Sequence, residues 1–75
     1  REIQVYPNPA NEQITISVNK GRLGKILIYN QLGQEIVGFQ CDSNSKLIDL
    51  SNYQNGLYFL NFPEKGISLK FTKGH

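Results

Sequence analysis

The chain has 75 residues, of which 39% are hydrophobic and 19% charged, and it carries a formal net charge of +2. A chain this short removes only about 60% of its unfolded surface from water, so we expect one small domain with a thin core. The small net charge and the scattered lysines argue against a nucleic-acid-binding protein, and no apolar run approaches the roughly 20 residues of a transmembrane segment.

Hydrophobic and polar residues alternate along most of the chain, and this period of two predicts β-strands rather than helices. The pattern is clearest where Ile14, Ile16 and Val18 share one face opposite polar side chains. In chain order, the predicted strands are residues 3–6, 13–19, 23–30, 34–40, 46–50, 56–62 and 67–73.

Turn-forming residues separate these predicted strands where antiparallel connections need them. A close turn at Leu32-Gly33 predicts a hairpin between the third and fourth strands. The segment Pro63-Glu64-Lys65-Gly66 predicts a type I turn that Gly66 closes in the left-handed conformation, so that the last two strands pair.

The two C-terminal strands differ in how their apolar residues are distributed. The sixth is apolar on both faces, as suits a strand inside a sheet, whereas the seventh alternates and is predicted to direct Phe71 inward and both Lys70 and Lys73 outward. Outward lysines suit an outer strand because they oppose unplanned pairing. The chain as a whole predicts an all-β fold, a small antiparallel Ig-like β-sandwich of about seven strands, with a barrel as the alternative.

The sequence contains no residue set that organises catalysis or binds a metal or other cofactor, so we expect a protein that is not an enzyme. The only imidazole belongs to His75, which we expect to be frayed, and Cys41 with His75 cannot supply the ligands of a zinc site. Cys41 is predicted to be a small, partly buried hydrophobe, with an intermolecular disulfide as the alternative. Asp42-x-Asn44 resembles the start of a calcium loop, but Lys46 occupies the third ligand position.

The aromatic residues admit two interpretations. Tyr6, Tyr29, Tyr53, Tyr58 and the phenylalanines are strand formers that supply much of a small core, and core packing is the interpretation we favour. The alternative is a sugar-stacking surface, because asparagine and glutamine are plentiful beside them.

The segment Val5-Tyr6-Pro7-Asn8-Pro9-Ala10 cannot continue the first strand, because Pro7 and Pro9 lack ladder donors and restrict the residues before them. We expect the chain to leave the sheet in an extended, stiff form. Asn8 is predicted to bond to the local backbone, and Asn11 to start the turn into the second strand. By itself, the segment also suits a rigid corner in any β-domain.

Together with three later stretches, this segment resembles the C-terminal sorting domain of the type IX secretion system of Bacteroidetes bacteria. The resemblance runs in order along the whole chain and includes a central hairpin that turns at Gly33-Gln34. The four stretches that carry it are residues 5–10, 26–35, 48–51 with 56–59, and 70–73.

The resemblance implies a targeting signal rather than an enzymatic activity. It implies a secretion signal that takes a covalently attached N-terminal cargo protein from the periplasm across the outer membrane to the cell surface or the extracellular space. The implied partners are components of the type IX translocon and a surface sortase that cleaves the domain and joins the cargo to lipopolysaccharide. No nucleic acid or transmembrane segment is expected.

We expect the translocon to recognise the terminal strand and the corner before it, because the lysines point outward and the strand is last. The residues of this hypothesis are Gly56, Tyr58, Lys70, Phe71 and Lys73. The motif residues with a mainly structural role are Tyr6, Pro7, Asn8, Pro9 and Gly33.

The absence of methionine predicts a processed product or an excised piece of a longer chain. The resemblance implies that residues 1–75 are one C-terminal sorting domain, excised from or processed off a larger secreted cargo. The main alternative is a non-catalytic carbohydrate- or protein-binding β-sandwich of a secreted enzyme or adhesin. A second alternative is a domain that serves only as a structural spacer. Because the core is thin, a weak dimer is a further alternative to a monomer.

Overall fold

The computed structural model describes residues 2–74, so the predicted fraying of His75 lies outside the described residues. Each predicted strand is present, and no bound differs by more than one residue. The strands are β1 (Ile3–Tyr6), β2 (Gln13–Val18), β3 (Gly24–Asn30), β4 (Glu35–Cys41), β5 (Ser45–Asp49), β6 (Gly56–Phe62) and β7 (Ile67–Lys73). Over this range, no helix has the length and apolarity needed to cross a membrane.

The strands form two sheets, one in the order β1-β2-β5 and the other in the order β4-β3-β6-β7. Every strand pair is antiparallel. The prediction of an all-β, antiparallel Ig-like sandwich is therefore confirmed. β6 lies inside the four-stranded sheet and β7 lies at its edge, as their apolar patterns predicted.

The core lies between the sheets, because alternation turns one face of each strand toward the other sheet. Ile14 and Ile16 of β2 and Ile26 and Ile28 of β3 are completely buried. The described residues include no buried polar or charged side chain. The other buried core residues are Ile3, Ala10, Val18, Leu23, Cys41, Ile48, Leu50, Tyr58, Leu60, Phe62 and Phe71.

The aromatic residues divide between the core and the surface. Tyr58, Phe62 and Phe71 are buried, as the favoured interpretation predicted, whereas Tyr6 is 48% and Phe59 37% exposed. The core interpretation therefore holds for part of the set only. Cys41 is a free, buried thiol, which confirms its predicted role as a small hydrophobe.

Two turns place the strands that carry the candidate site. In the β3–β4 hairpin, Gly33 has a φ of 83°, and the Asn30 side-chain oxygen accepts hydrogen bonds from the backbone N–H groups of Leu32 and Gln34 at 2.9 and 3.0 Å. In the β6–β7 connection, Lys65 N donates to Phe62 O at 2.9 Å, and Gly66 has a φ of 65°. Both predicted connections are confirmed, together with the left-handed conformation of Gly66.

Candidate recognition surface at the last strand

Residues 8–10, which we call the clasp, lie along the outer edge of β7. The Asn8 side-chain oxygen accepts a hydrogen bond from Thr72 N at 3.1 Å. Ala10 N donates to Thr72 O at 2.7 Å, and Gly74 N donates to Ala10 O at 2.8 Å. The clasp therefore joins the loop after β1 to the end of the last strand and closes that side of the sandwich.

The prediction that Asn8 bonds to the local backbone is wrong, because its partner Thr72 lies 64 positions further along the chain. Pro7 and Pro9 both follow cis peptide bonds and offer no N–H. Asn8, the single residue between these prolines, has its side-chain oxygen turned toward β7. No sequence pattern around Asn8 indicates which distant strand it meets.

Tyr58 and Phe71, both predicted to take part in recognition, pack against each other beneath the surface. Their rings are stacked with centroids 5.4 Å apart, and only 6% and 1% of the two residues is exposed. The Tyr58 hydroxyl donates to Gln54 O at 2.5 Å, and the Tyr53 ring packs against Tyr58 in a tilted arrangement with 5.4 Å between ring centroids. These contacts hold β6, β7 and the preceding loop together.

The prediction that Lys73 points outward is wrong. Residues 70 and 73 lie three positions apart, so a period of two places them on opposite faces of β7. Lys73 shares the inner face with Phe71, is half-buried, and donates from Nζ to Tyr53 O at 2.8 Å. Gly56 pairs with Lys73 and is also half-buried. Lys70 alone among the five predicted recognition residues is exposed.

The outer edge of β7 is open beside Lys70. Because Thr72 directs its backbone groups toward the clasp, alternation along the strand directs those of Ser68 and Lys70 to the same edge. Within residues 2–74, no segment pairs with this part of the edge. A shallow depression lies there, lined by Asn8, Phe59, Ser68, Leu69 and Lys70.

Two groups with shifted pKa values lie near the β5–β6 connection, one at the end of β5 and one in the loop. The Ser51 N–H donates to the Asp49 carboxylate at 2.9 Å, and this bond lowers the pKa of Asp49, with a smaller contribution from Lys73. Burial raises the pKa of the Tyr53 phenol, and the nearby Tyr58 and Asp49 add to the increase. The charged form of Asp49 is therefore favoured in the folded chain, and ionisation of Tyr53 at high pH is disfavoured.

A second depression lies at the end of the sandwich where the β3–β4 and β5–β6 loops meet. Its lining is Asn30, Ile36, Asn52, Tyr53, Gln54 and Tyr58. Amides beside an aromatic ring are the groups that the sugar-binding alternative requires. Among residues 2–74, no three His, Cys, Asp or Glu side chains are grouped as metal ligands.

Comparison with known proteins gives a family match over almost the whole chain. The family described as "Secretion system C-terminal sorting domain" matches residues 4–73, which include both the clasp and β7. A 58-residue stretch is 34% identical to Beta-agarase A of Zobellia galactanivorans. That stretch covers 76% of this chain but 11% of the agarase, so the chain spans only a small part of this curated relative. No solved structure matches the chain.

Proposed function

Because the chain belongs to the family of type IX secretion C-terminal sorting domains, we propose that the translocon recognises it through the open edge of β7. A member of this family is a sorting signal at the C-terminal end of a cargo protein and directs export to the cell surface or the extracellular space. The family match over residues 4–73 is the observation that carries the function, and the geometry of β7 supports the surface that we assign to it.

The open edge at Ser68 and Lys70 suits an added strand from a receptor. Such a strand gains main-chain hydrogen bonds from the edge, and its side chains gain pockets on alternate positions. The depression beside Phe59 suits one apolar side chain, and the exposed ammonium of Lys70 suits a neighbouring carboxylate. The clasp occupies Thr72, so we limit the added strand to the part of the edge before it.

This assignment changes the roles of the other four predicted recognition residues. We propose that Gly56, Tyr58, Phe71 and Lys73 position β7 from within rather than touch the receptor, since they are buried or half-buried. We further propose that an N-terminal cargo passes through the periplasm with the domain attached. Sortase cleavage and attachment of the cargo to lipopolysaccharide then follow export.

Fusion of residues 1–75 to the C-terminus of a periplasmic fluorescent protein tests this proposal in a bacterium that has a type IX system. Deleting the end of β7 would remove Phe71 from the core, so point variants are more informative. Ser68→Pro removes one N–H from the open edge, and Lys70→Glu reverses its charge. We expect each to reduce surface fluorescence about tenfold, the effect of losing about 1.4 kcal/mol of binding.

Lys20→Glu is the matched control, because Lys20 is exposed in the β2–β3 loop, far along the chain from β7. It makes the same charge change as Lys70→Glu and should leave export unchanged. Retention of the unaltered fusion in the periplasm would contradict the sorting function itself. Normal export of both β7 variants, with circular dichroism showing them folded, would contradict only the assigned edge.

A carbohydrate-binding module is the second candidate function, favoured by the amide-rich depression around Tyr53. Titration of the chain with neutral oligosaccharides, followed by tyrosine fluorescence, separates the two functions. A sorting signal should show no saturable change. A saturable change that Tyr53→Ala abolishes would favour the carbohydrate-binding module.

A further inference from the structure

The outer face of the four-stranded sheet carries apolar side chains that the core does not cover. On the face opposite the buried residues, Tyr29 of β3 pairs directly with Phe59 of β6, Leu27 lies diagonally opposite Phe59, and Leu57 lies diagonally opposite Tyr29. We call these four residues the outer patch. Phe59 is 37% exposed, and the other three are partly exposed.

One row of side chains crosses all four strands through this patch. Tyr29 pairs with Glu35 of β4 on one side and with Phe59 of β6 on the other, and Phe59 pairs with Lys70 of β7. The row therefore has an acid at one end, a base at the other, and two aromatic rings between them. Glu35 and Lys70 are both exposed.

The order of charges in this row makes the face complementary to itself. A two-fold axis that lies in the contact plane, between β3 and β6 and parallel to them, exchanges the two ends of the row. Glu35 of each copy then meets Lys70 of the other, and Tyr29 of each copy meets Phe59 of the other. We propose that the outer patch is the contact face of a symmetric dimer of this chain, in which the same surface is used twice.

Gly38 keeps this face flat enough for one sheet to pack on another. It pairs with Leu27, and a Cβ at this position would lie 3.0 Å from Leu27 Cδ2. Because Gly38 has no side chain, the Leu27 side chain can lie over β4 rather than stand out from the sheet. Sheets that pack face to face are about 10 Å apart, which side chains of this size can fill.

The size of the face indicates a weak dimer. Four strands about 4.8 Å apart give a face roughly 14–19 Å wide, and seven-residue strands at about 3.3 Å per residue make it about 23 Å long, so each copy buries on the order of 400 Å². A standard stable interface buries about 800 Å² per partner. We therefore expect dissociation constants from the upper micromolar to the millimolar range. The dimer and the proposed receptor share Phe59 and Lys70, so we expect them to exclude each other, but the dimer forms and is tested without any receptor.

Sedimentation equilibrium of the 75-residue chain, from micromolar to millimolar concentration, measures the dimer directly. Glu35→Lys and Lys70→Glu each place like charges opposite one another, and we expect each to weaken the dimer about tenfold. The double variant carries both changes and restores opposite charges at both ends of the row. We expect it to dimerise about as well as the unaltered chain.

Glu12→Lys and Lys20→Glu make the same charge changes at exposed residues away from the patch, and they should not affect the dimer. Phe59→Ser is a further variant that removes an aromatic ring and should also weaken it. A chain that stays monomeric at millimolar concentration overturns the proposal. Single charge variants that dimerise normally, or a double variant that fails to restore the dimer, overturn it as well.

Discussion

At the scale of single residues, Asn8 has a structural role that reaches far beyond its neighbours. Its side-chain oxygen accepts a hydrogen bond from Thr72 N. Two residues later, Ala10 donates to Thr72 O and accepts from Gly74 N at the same edge. These bonds hold the end of β7, which also contains Phe71 of the core. The clasp thus links a motif at the start of the chain to the proposed recognition strand at its end.

Replacing Asn8 with Ala removes the acceptor for Thr72 N and should lower the free energy of unfolding by about 1 kcal/mol. Urea denaturation measures the loss, and amide hydrogen exchange should show faster exchange at Thr72. Asn19→Ala is the matched control, because Asn19 is exposed and no side-chain hydrogen bond is found for it among residues 2–74. Unchanged exchange at Thr72 in the Asn8 variant would contradict the role of the clasp.

At the scale of elements, the β3–β4 hairpin depends on a single backbone conformation. Gly33 has a φ of 83°, and a Cβ at this position would meet no atom within 4 Å. The requirement for glycine is therefore conformational and does not come from crowding. The same hairpin positions Tyr29 and Glu35 in the row that crosses the outer face.

Gly33→Ala should therefore destabilise the domain by about 1–2 kcal/mol, the cost of a left-handed conformation for a residue with a side chain. Gly33→Asn should cost less, because asparagine adopts this conformation more readily. Thermal unfolding followed by circular dichroism compares both with Leu32→Ala, a change at the neighbouring exposed residue. An alanine variant as stable as the Leu32 control would show that the turn tolerates another conformation.

At the scale of the whole molecule, stability comes from one thin layer of side chains between two sheets. The two largest side chains that are almost completely buried are those of Phe62 and Phe71, and both lie on strands of the four-stranded sheet. On the opposite side from the clasp, the Lys46 ammonium lies 4.6 Å from the centre of the Phe39 ring and covers the gap between β5 and β4. The sandwich is thus closed on both sides by local contacts.

Phe62→Ala should lower the free energy of unfolding by about 3–5 kcal/mol, because the substitution loses buried apolar surface and leaves a cavity. The free energy of unfolding of a small domain is about 5 kcal/mol or little more, so we expect the variant to be largely unfolded at 37 °C. Loss of NMR chemical-shift dispersion is the measurement. Leu47→Ala, at a residue that is 58% exposed, should stay folded within about 0.5 kcal/mol of the unaltered chain. A well-folded Phe62 variant would mean that the core carries less of the stability than its burial indicates.

The sequence by itself determined the strands, the two turns at Gly33 and Gly66, and the buried faces of β2 and β7. These features depend on alternation and on backbone conformation, which act between residues that are close along the chain. The same alternation would have placed Lys73 on the inner face beside Phe71, had it been applied to the whole strand. The tertiary structure alone decided which strands share a sheet, where Asn8 finds its partner, and that Glu35 and Lys70 end one row. Those contacts depend on pairing and register between distant segments, and a local pattern of apolar residues contains no information about either.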